Sequence, residues 1–208
     1  CFIFCLMDHN KILGVVLAGG KSKRFGQNKS QVKLQGKILI NYILSEIIDE
    51  FKEILIVTNE NINFIKSDKI SITKDFKEGQ GPLGGILSAM KWIKLNNREY
   101  KWISTFPSDT PFFKKEQLKH FYEKVKLDDS KLFFIKNKNT RHNIFGLWSL
   151  DLLEQLESDL FKGERKVELW ANSIGVSLIN IEYKNIDPFF NINTKEDLEK
   201  AKKMINYD

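Results

Sequence analysis

The chain has 208 residues, of which 42% are hydrophobic and 29% are charged, as in an ordinary globular domain and unlike a disordered chain. The formal net charge of +6 favours an anionic partner. Because the positive residues are spread along the chain without a long basic run, a small phosphorylated ligand fits this charge and we predict no nucleic-acid partner. The two cysteines, Cys1 and Cys5, lie together at the N-terminus, which argues against a disulfide scaffold or a structural zinc site and predicts a cytoplasmic location.

The first residues are apolar but do not have the pattern of a targeting segment. Residues 1–7 lack a basic region and a cleavage site, so they make a poor signal peptide, and they are too short to span a membrane. We therefore predict no membrane partner. Met7 is expected to be the natural start. Residues 1–11 are predicted to be an N-terminal extension, followed by a single domain over residues 12–208.

Apolar runs alternate along the chain with longer amphipathic segments. This alternation predicts an α/β fold with three layers and a mainly parallel, Rossmann-like sheet. The predicted strands are 12–17, 54–58, 71–73, 102–106, 132–136, 144–148 and 176–181. The predicted helices are 40–50, 83–95, 114–126, 150–156, 164–173 and 194–206, the last capped by Thr194.

A glycine-rich, basic loop follows the first predicted strand. It occupies residues 17–29 and reads Leu-Ala-Gly-Gly-x-Ser-x-Arg-x-Gly with a lysine three residues later. Gly19 and Gly20 allow the backbone to approach an anion, while Arg24 and Lys29 supply positive charge. The spacing matches neither of the two common glycine motifs of nucleotide-binding proteins. The loop therefore predicts a phosphate-binding site of another kind.

Polar residues follow three further strands, at the edge of the sheet where open α/β proteins bind ligands. Asn59 follows the second strand, Asp75 the third and Asp109 the fourth. Asp109 lies between Pro107 and Pro111, in a stiff loop suited to hold Mg²⁺ with one carboxylate and the phosphates of a substrate. For Asn59 and Asp75, the spacing alone is more typical of plain turn residues than of a binding site.

A second glycine block, residues 79–86, precedes a predicted helix. Its glycines would allow the backbone to approach a flat base or a ribose closely, and Pro82 suits the start of a helix.

Five segments together resemble the molybdenum cofactor guanylyltransferase family of nucleotidyltransferases. They occur in the family's order and extend from the first strand to the last helix: the loop 17–29, Gly-Pro-Leu-Gly-Gly at 81–85, Ser-Asp-Thr-Pro at 108–111, Gly-Glu-Arg-Lys-Val at 163–167 and Phe-Asn-Ile-Asn-Thr at 190–194. Two positions depart from the family pattern, since Asn143 and Lys195 stand where proline is common.

This resemblance implies a nucleotidyltransferase fold and the transfer of GMP from GTP to the phosphate of molybdopterin, with Mg²⁺ as cofactor. Proteins that insert or accept the molybdenum cofactor are implied as further partners. The residues implied to bind GTP are Leu17, Ala18, Gly19, Gly20, Lys29, Asn59, Asp75 and Gly81. Arg24, Lys29 and Asp109 are implied to be catalytic, with Asp109 as the metal ligand, and Arg165, Lys166, Asn191 and Asn193 are implied to bind molybdopterin.

Two other functions remain open from the sequence. A cytidylyl- or sugar-nucleotide transferase would share the loop at 17–29. A regulator or carrier that binds a nucleotide without turnover would differ from both by failing to release pyrophosphate.

Overall fold

A seven-stranded sheet organises the protein. The computed structural model describes residues 8–19, 32–77, 79–125 and 128–205. Within these residues the fifth strand in spatial order is antiparallel to both of its neighbours, and the other four pairings are parallel. The mainly parallel sheet predicted from the sequence is thereby confirmed.

The strands and helices have the following bounds. The sheet contains, in spatial order, β5 (Ile70–Thr73), β4 (Ile54–Val57), β1 (Ile12–Leu17), β6 (Trp102–Pro107), β8 (Thr140–Ser149), β7 (Leu132–Asn137) and β9 (Ser177–Asn180), and a separate hairpin contains β2 (Lys33–Leu34) and β3 (Lys37–Ile38). The helices are α1 (Leu39–Ile47), α2 (Gly81–Leu95), α3 (Lys115–Val125), α4 (Leu153–Phe161), α5 (Val167–Ile174) and α6 (Lys195–Ile205).

Helices cover both faces of the sheet because the side chains of each central strand alternate between two cores. On β1, Ile12 and Val16 pack with α1 and α3, whereas Leu13 and Val15 pack with α2, α4 and α5. All four side chains are fully buried, as expected for a parallel strand covered on both sides. This arrangement confirms the three-layer α/β fold.

The structure corrects several of the sequence-based boundaries; β8, for example, begins at Thr140 rather than at 144, and α1 ends at Ile47 rather than at 50. The hairpin of β2 and β3 was not predicted, because two-residue strands are too short to carry a periodic pattern. Helix α5 begins at Val167 rather than at 164, because the Glu164 carboxylate accepts hydrogen bonds from the backbone N–H groups of Arg165 and Lys166. The predicted helix 150–156 is a 3-10 turn, Leu150–Leu152, that continues into α4.

Residues before β1 contact the domain. The backbone N–H of Lys101 donates to the carbonyl of Lys11 at 2.8 Å, and the rings of His9 and Tyr122 lie 5.1 Å apart. The division into an extension and a single domain stays a prediction. No helix within the described parts of the chain is long and apolar enough to cross a membrane.

Candidate active site

Four parallel strands end in register at one edge of the sheet. Leu17 of β1 pairs with Val57 of β4 and Pro107 of β6, and Val57 pairs with Thr73 of β5. The residues two positions further along are Gly19, Asn59, Asp75 and Asp109, all of which the sequence analysis assigned to the site. Because neighbouring strands lie about 4.8 Å apart, the sheet itself lines up these four residues.

Asn59 and Asp75 form a reciprocal hydrogen-bonded pair beyond β4 and β5. The side-chain amide of Asn59 donates to Asp75 Oδ2 at 3.1 Å, and the backbone N–H of Asp75 donates to Asn59 Oδ1 at 2.9 Å. Asn59 thus fixes both the backbone and the carboxylate of Asp75. A plain turn residue would need no such partner across two strands.

The N-terminal half of α2 packs tightly against this pair. A Cβ placed on Gly85 would lie 3.0 Å from Leu17 Cδ2 and 3.5 Å from Asp75 Oδ1, and one on Gly19 would lie 3.8 Å from Asp75 Oδ2. The Ser88 hydroxyl also accepts a hydrogen bond from the backbone N–H of Phe76 at 2.7 Å. The absence of a side chain at Gly85 therefore allows the helix to approach the strand ends, in addition to any contact with a ligand.

Asp109 follows β6 and is held by the C-terminal part of the chain. Its backbone carbonyl accepts a hydrogen bond from the N–H of Ile192 at 3.0 Å, which places the segment 191–193 beside the loop. The Oδ1 atom of Asp109 is shielded from solvent. Asn191 and Asn193 are exposed on either side of the buried Ile192, so this segment brings two predicted molybdopterin-binding residues to the predicted metal ligand.

Arg165 and Lys166 lie next to the start of α2 instead. A Cβ on Gly81, whose φ is +64°, would be 3.7 Å from the carbonyl oxygen of Arg165. The Arg165 guanidinium donates from Nη1 to the backbone carbonyls of Leu160 and Glu164, both at 2.6 Å. Arg165 therefore ties the end of α4 to the start of α5, a structural role that the sequence analysis did not foresee.

The Glu164 carboxylate, in the segment just before α5, accepts hydrogen bonds from two successive backbone N–H groups. The backbone N–H groups of Lys166 and Arg165 hold the pKa of the Glu164 carboxyl below its usual range. Lys166 is exposed, and its ammonium adds positive charge at this place.

An open groove of about 520 Å³ runs along this side of the site. It is lined by Pro82, Asn143, Ile144, Arg165, Lys166, Val167, Glu168 and Leu169. Pro82 lies about one helical turn, roughly 5 Å along the helix axis, before Gly85, the residue that packs against Asp75. The structure thus brings the ends of four strands next to a groove that is lined in part by Arg165 and Lys166.

Three predicted site residues lie outside the described residues. These are Gly20, Arg24 and Lys29, and their roles stay predictions. Other contributors were missed by the sequence analysis: Thr58 donates from its hydroxyl to the carbonyl of Ala18 at 3.1 Å, and Ser88 orders the loop after β5 as described above. A serine and a threonine within apolar runs carry no sequence signal that separates them from ordinary core residues.

No group of three or more acidic, histidine or cysteine side chains that could hold a metal occurs among the residues that the structure describes. A nucleotide-bound metal needs fewer protein ligands, since Mg²⁺ takes one or two carboxylates and completes its shell with phosphate oxygens and water. A single carboxylate in a rigid loop, as at Asp109, fits that requirement.

Comparison with known proteins agrees with this geometry. A Rhizobium rhizogenes protein named molybdenum cofactor guanylyltransferase is 27% identical over 207 residues, covering 96% of this chain and 95% of the relative. The crystal structure of molybdopterin-guanine dinucleotide biosynthesis protein A from Archaeoglobus fulgidus matches with a TM-score of 0.74 at 23% identity, covering 94% of this chain and all of the other.

The same fold also occurs with other nucleotides. The 2-C-methyl-D-erythritol 4-phosphate cytidylyltransferase of Francisella tularensis matches with a TM-score of 0.69 at 19% identity, covering 93% of this chain and 99% of the other. The fold alone therefore does not select among nucleotides. The family model for the MobA-like NTP transferase domain matches residues 14–173, and the chain, as the motifs predicted, belongs to this family of nucleotidyltransferases.

Proposed function

We propose that this protein transfers GMP from GTP to the terminal phosphate of molybdopterin and releases pyrophosphate. The observation that carries the proposal is the register of the four strand ends, which aligns Gly19, Asn59, Asp75 and Asp109 beside the groove at Pro82. The names of the relatives favour the same reaction.

On the nucleotide side, the loop at 17–29 binds the triphosphate. Leu17 and Ala18 lie against the nucleotide at the end of β1, where the Ala18 N–H donates to the carbonyl of Val57 at 2.9 Å. Gly19 and Gly20 let the backbone approach the phosphates, and Arg24 and Lys29 offset the negative charge of the phosphates. Asp75, fixed by Asn59, accepts hydrogen bonds from GTP, and Gly81 lets the start of α2 approach it. These residues hold GTP with its α-phosphorus towards the groove.

On the acceptor side, Lys166, Arg165, Asn191 and Asn193 orient molybdopterin. A phosphate oxygen of molybdopterin attacks the α-phosphorus of GTP in line, a new P–O bond forms, and the bond to the bridging oxygen breaks as pyrophosphate leaves. The reaction needs no protein nucleophile. The chain contributes positioning and positive charge.

Asp109 is proposed to hold Mg²⁺ together with the phosphates of GTP. Its rigid position between Pro107 and Pro111 and its shielded Oδ1 atom support this assignment. When bound, Mg²⁺ neutralises charge on the phosphate oxygens.

The test is a comparison of nucleotides followed by an assay of turnover. GTP with Mg²⁺ should raise the Tm more than CTP or UTP, and pyrophosphate should appear only when both GTP and molybdopterin are present. Preference for CTP or UTP would select the cytidylyl- or sugar-nucleotide transferase. Tight GTP binding without pyrophosphate release would select the non-catalytic regulator.

Two accompanying predictions rest on the same proposal. Proteins that insert or accept the finished molybdenum cofactor are expected partners, and the cysteine content favours a cytoplasmic location.

A further inference from the structure

A wide irregularity in β8 borders the groove at Pro82. His142 pairs with Ile135 of β7, but the next pairing joins Gly146 to Phe134, so three residues of β8, 143–145, intervene between consecutive pairs. The hydroxyl of Thr105 on β6 donates to the carbonyl of Ile144 at 2.6 Å and fixes this bulge. The bulge directs Asn143 and Ile144 to the wall of the groove.

Arg141 lies two residues before the bulge, and its guanidinium donates a hydrogen bond on one side only to the residues that the structure describes. Its Nη1 donates to Asn172 Oδ1 on α5 at 2.6 Å, and its Cζ lies 4.9 Å from the centre of the Phe134 ring. The Nε and Nη2 atoms are buried and donate to no acceptor among the described residues. These two N–H groups point along one edge of the guanidinium.

Burial and one carboxylate act in opposite directions on the charge of this arginine. Burial lowers the pKa of the Arg141 guanidinium, and the carboxylate of Glu168 opposes that effect. Glu168 lines the groove and lies one helical turn before Asn172, the hydrogen-bond partner of the guanidinium. Asn143, two residues along, also has a buried Oδ1 atom that accepts no hydrogen bond from the described residues.

Buried donors without acceptors are rare in folded proteins and costly, and more so when the group is charged. The Nε and Nη2 edge of an arginine matches two oxygens of a phosphate in a bidentate contact. Such a ligand would satisfy these donors, and a displacement of Asn143, which lines the groove two residues along, would open a path to them.

We propose that Arg141 binds the phosphate monoester of the acceptor substrate through Nε and Nη2 when Asn143 moves aside. This inference rests on the proposed function for the identity of the acceptor. It adds a phosphate-binding residue that lies outside the five segments on which the resemblance depends.

The experiment compares Arg141→Met and Arg141→Lys with Arg98→Met. Arg98 is a half-exposed arginine paired with Glu53, so its variant changes the net charge equally. Molybdopterin binding is measured by titration calorimetry, and titration of GTP is the second measurement.

We expect Arg141→Met to weaken molybdopterin binding about 30-fold and to leave GTP binding within about twofold, as for loss of a charge-assisted bidentate contact. Arg141→Lys should lose less, because it keeps the charge without the fork. The Tm of Arg141→Met should not fall, because the variant removes buried unsatisfied donors. Unchanged molybdopterin binding by Arg141→Met would overturn the proposal. A lower Tm together with equally weakened binding of molybdopterin and GTP would also overturn it, because a merely structural arginine gives that result.

A second measurement separates this inference from the proposed function. The arginines are Arg24, Arg98, Arg141 and Arg165, so the Nε–H resonance that disappears in Arg141→Lys is assigned directly by NMR. It should shift when glycerol 3-phosphate is added and stay in place with sodium chloride of equal ionic strength. If it shifts but the wild-type protein does not use molybdopterin, the proposed function fails and the phosphate site stands. If it is unmoved by both glycerol 3-phosphate and molybdopterin, the inference fails.

Discussion

The pairing of Asn59 with Asp75 predicts a large effect for Asn59→Asp. The substitution preserves the size of the side chain but replaces the donor that lies 3.1 Å from Asp75 Oδ2 with a carboxylate oxygen. Two unit charges at that separation repel by about 1.3 kcal/mol even in a medium as polar as water. The lost hydrogen bond to a charged group adds about 1.5 kcal/mol.

The sum, about 3 kcal/mol, is the energy needed to hold Asp75 in its observed orientation, and it corresponds to roughly 100-fold in affinity. If GTP binding requires that orientation, the dissociation constant for GTP should rise by about 10- to 100-fold at pH 7.5, the lower figure applying if Asp75 relaxes. Lowering the pH to about 5 should recover part of the affinity, because one member of a carboxylate pair then holds a proton.

The assay is titration calorimetry of GTP at both pH values, with Asn61→Asp as the matched control. Asn61 is exposed two residues further along, and its variant makes the same change in net charge. A GTP dissociation constant for Asn59→Asp within threefold of that for Asn61→Asp would refute the role of Asn59 in positioning Asp75.

Four other variants test the remaining assignments. Asp109→Asn should abolish pyrophosphate release in Mg²⁺ with the Tm unchanged; near-normal turnover would exclude Asp109 as the principal metal ligand. Lys29→Ala should weaken GTP binding more than GMP binding, because its proposed partners are phosphates that GMP lacks; equal losses would move it away from them. Arg165→Ala should lower the Tm as well as molybdopterin use, because its guanidinium binds two carbonyls at the end of α4, and an unchanged Tm would contradict that role. Burial lowers the pKa of His142, so the unfolded chain binds a proton more readily and stability should fall as the pH drops below about 6.5; in denaturant titrations His142→Phe should lose this dependence, whereas a variant of the exposed His120 should keep it.

The sequence predicted those parts of the site that follow directly from strand order. Asn59, Asp75 and Asp109 could be found because each comes just after an apolar run, and parallel strands in register bring such residues together. The hydrogen bonds between Asn59 and Asp75 could not be predicted, since the strand pairing of β4 and β5 decides them.

The acceptor side was less accessible to prediction. Arg165 was assigned to a ligand from its motif, but the structure shows its guanidinium bound to the backbone of Leu160 and Glu164. The irregularity of β8 was hidden because a continuous apolar run from 144 to 148 gives no sign of three inserted residues. Pairing registers and side-chain contacts between distant segments have no periodic signature in one chain.

The contact between Ile192 and the loop at Asp109 has a consequence for synthesis of the protein. Ribosomes make the chain from its N-terminus, so Asp109 is in place well before the segment 191–193 emerges. The central strand β1 likewise waits for β6, because Ile12 pairs with Trp102. Contacts between residues far apart in sequence form late in folding. The loop at 17–29 is therefore translated long before the site around it is complete. Nascent chains that have not yet released residues 191–193 from the ribosome, and variants truncated before them, should be inactive.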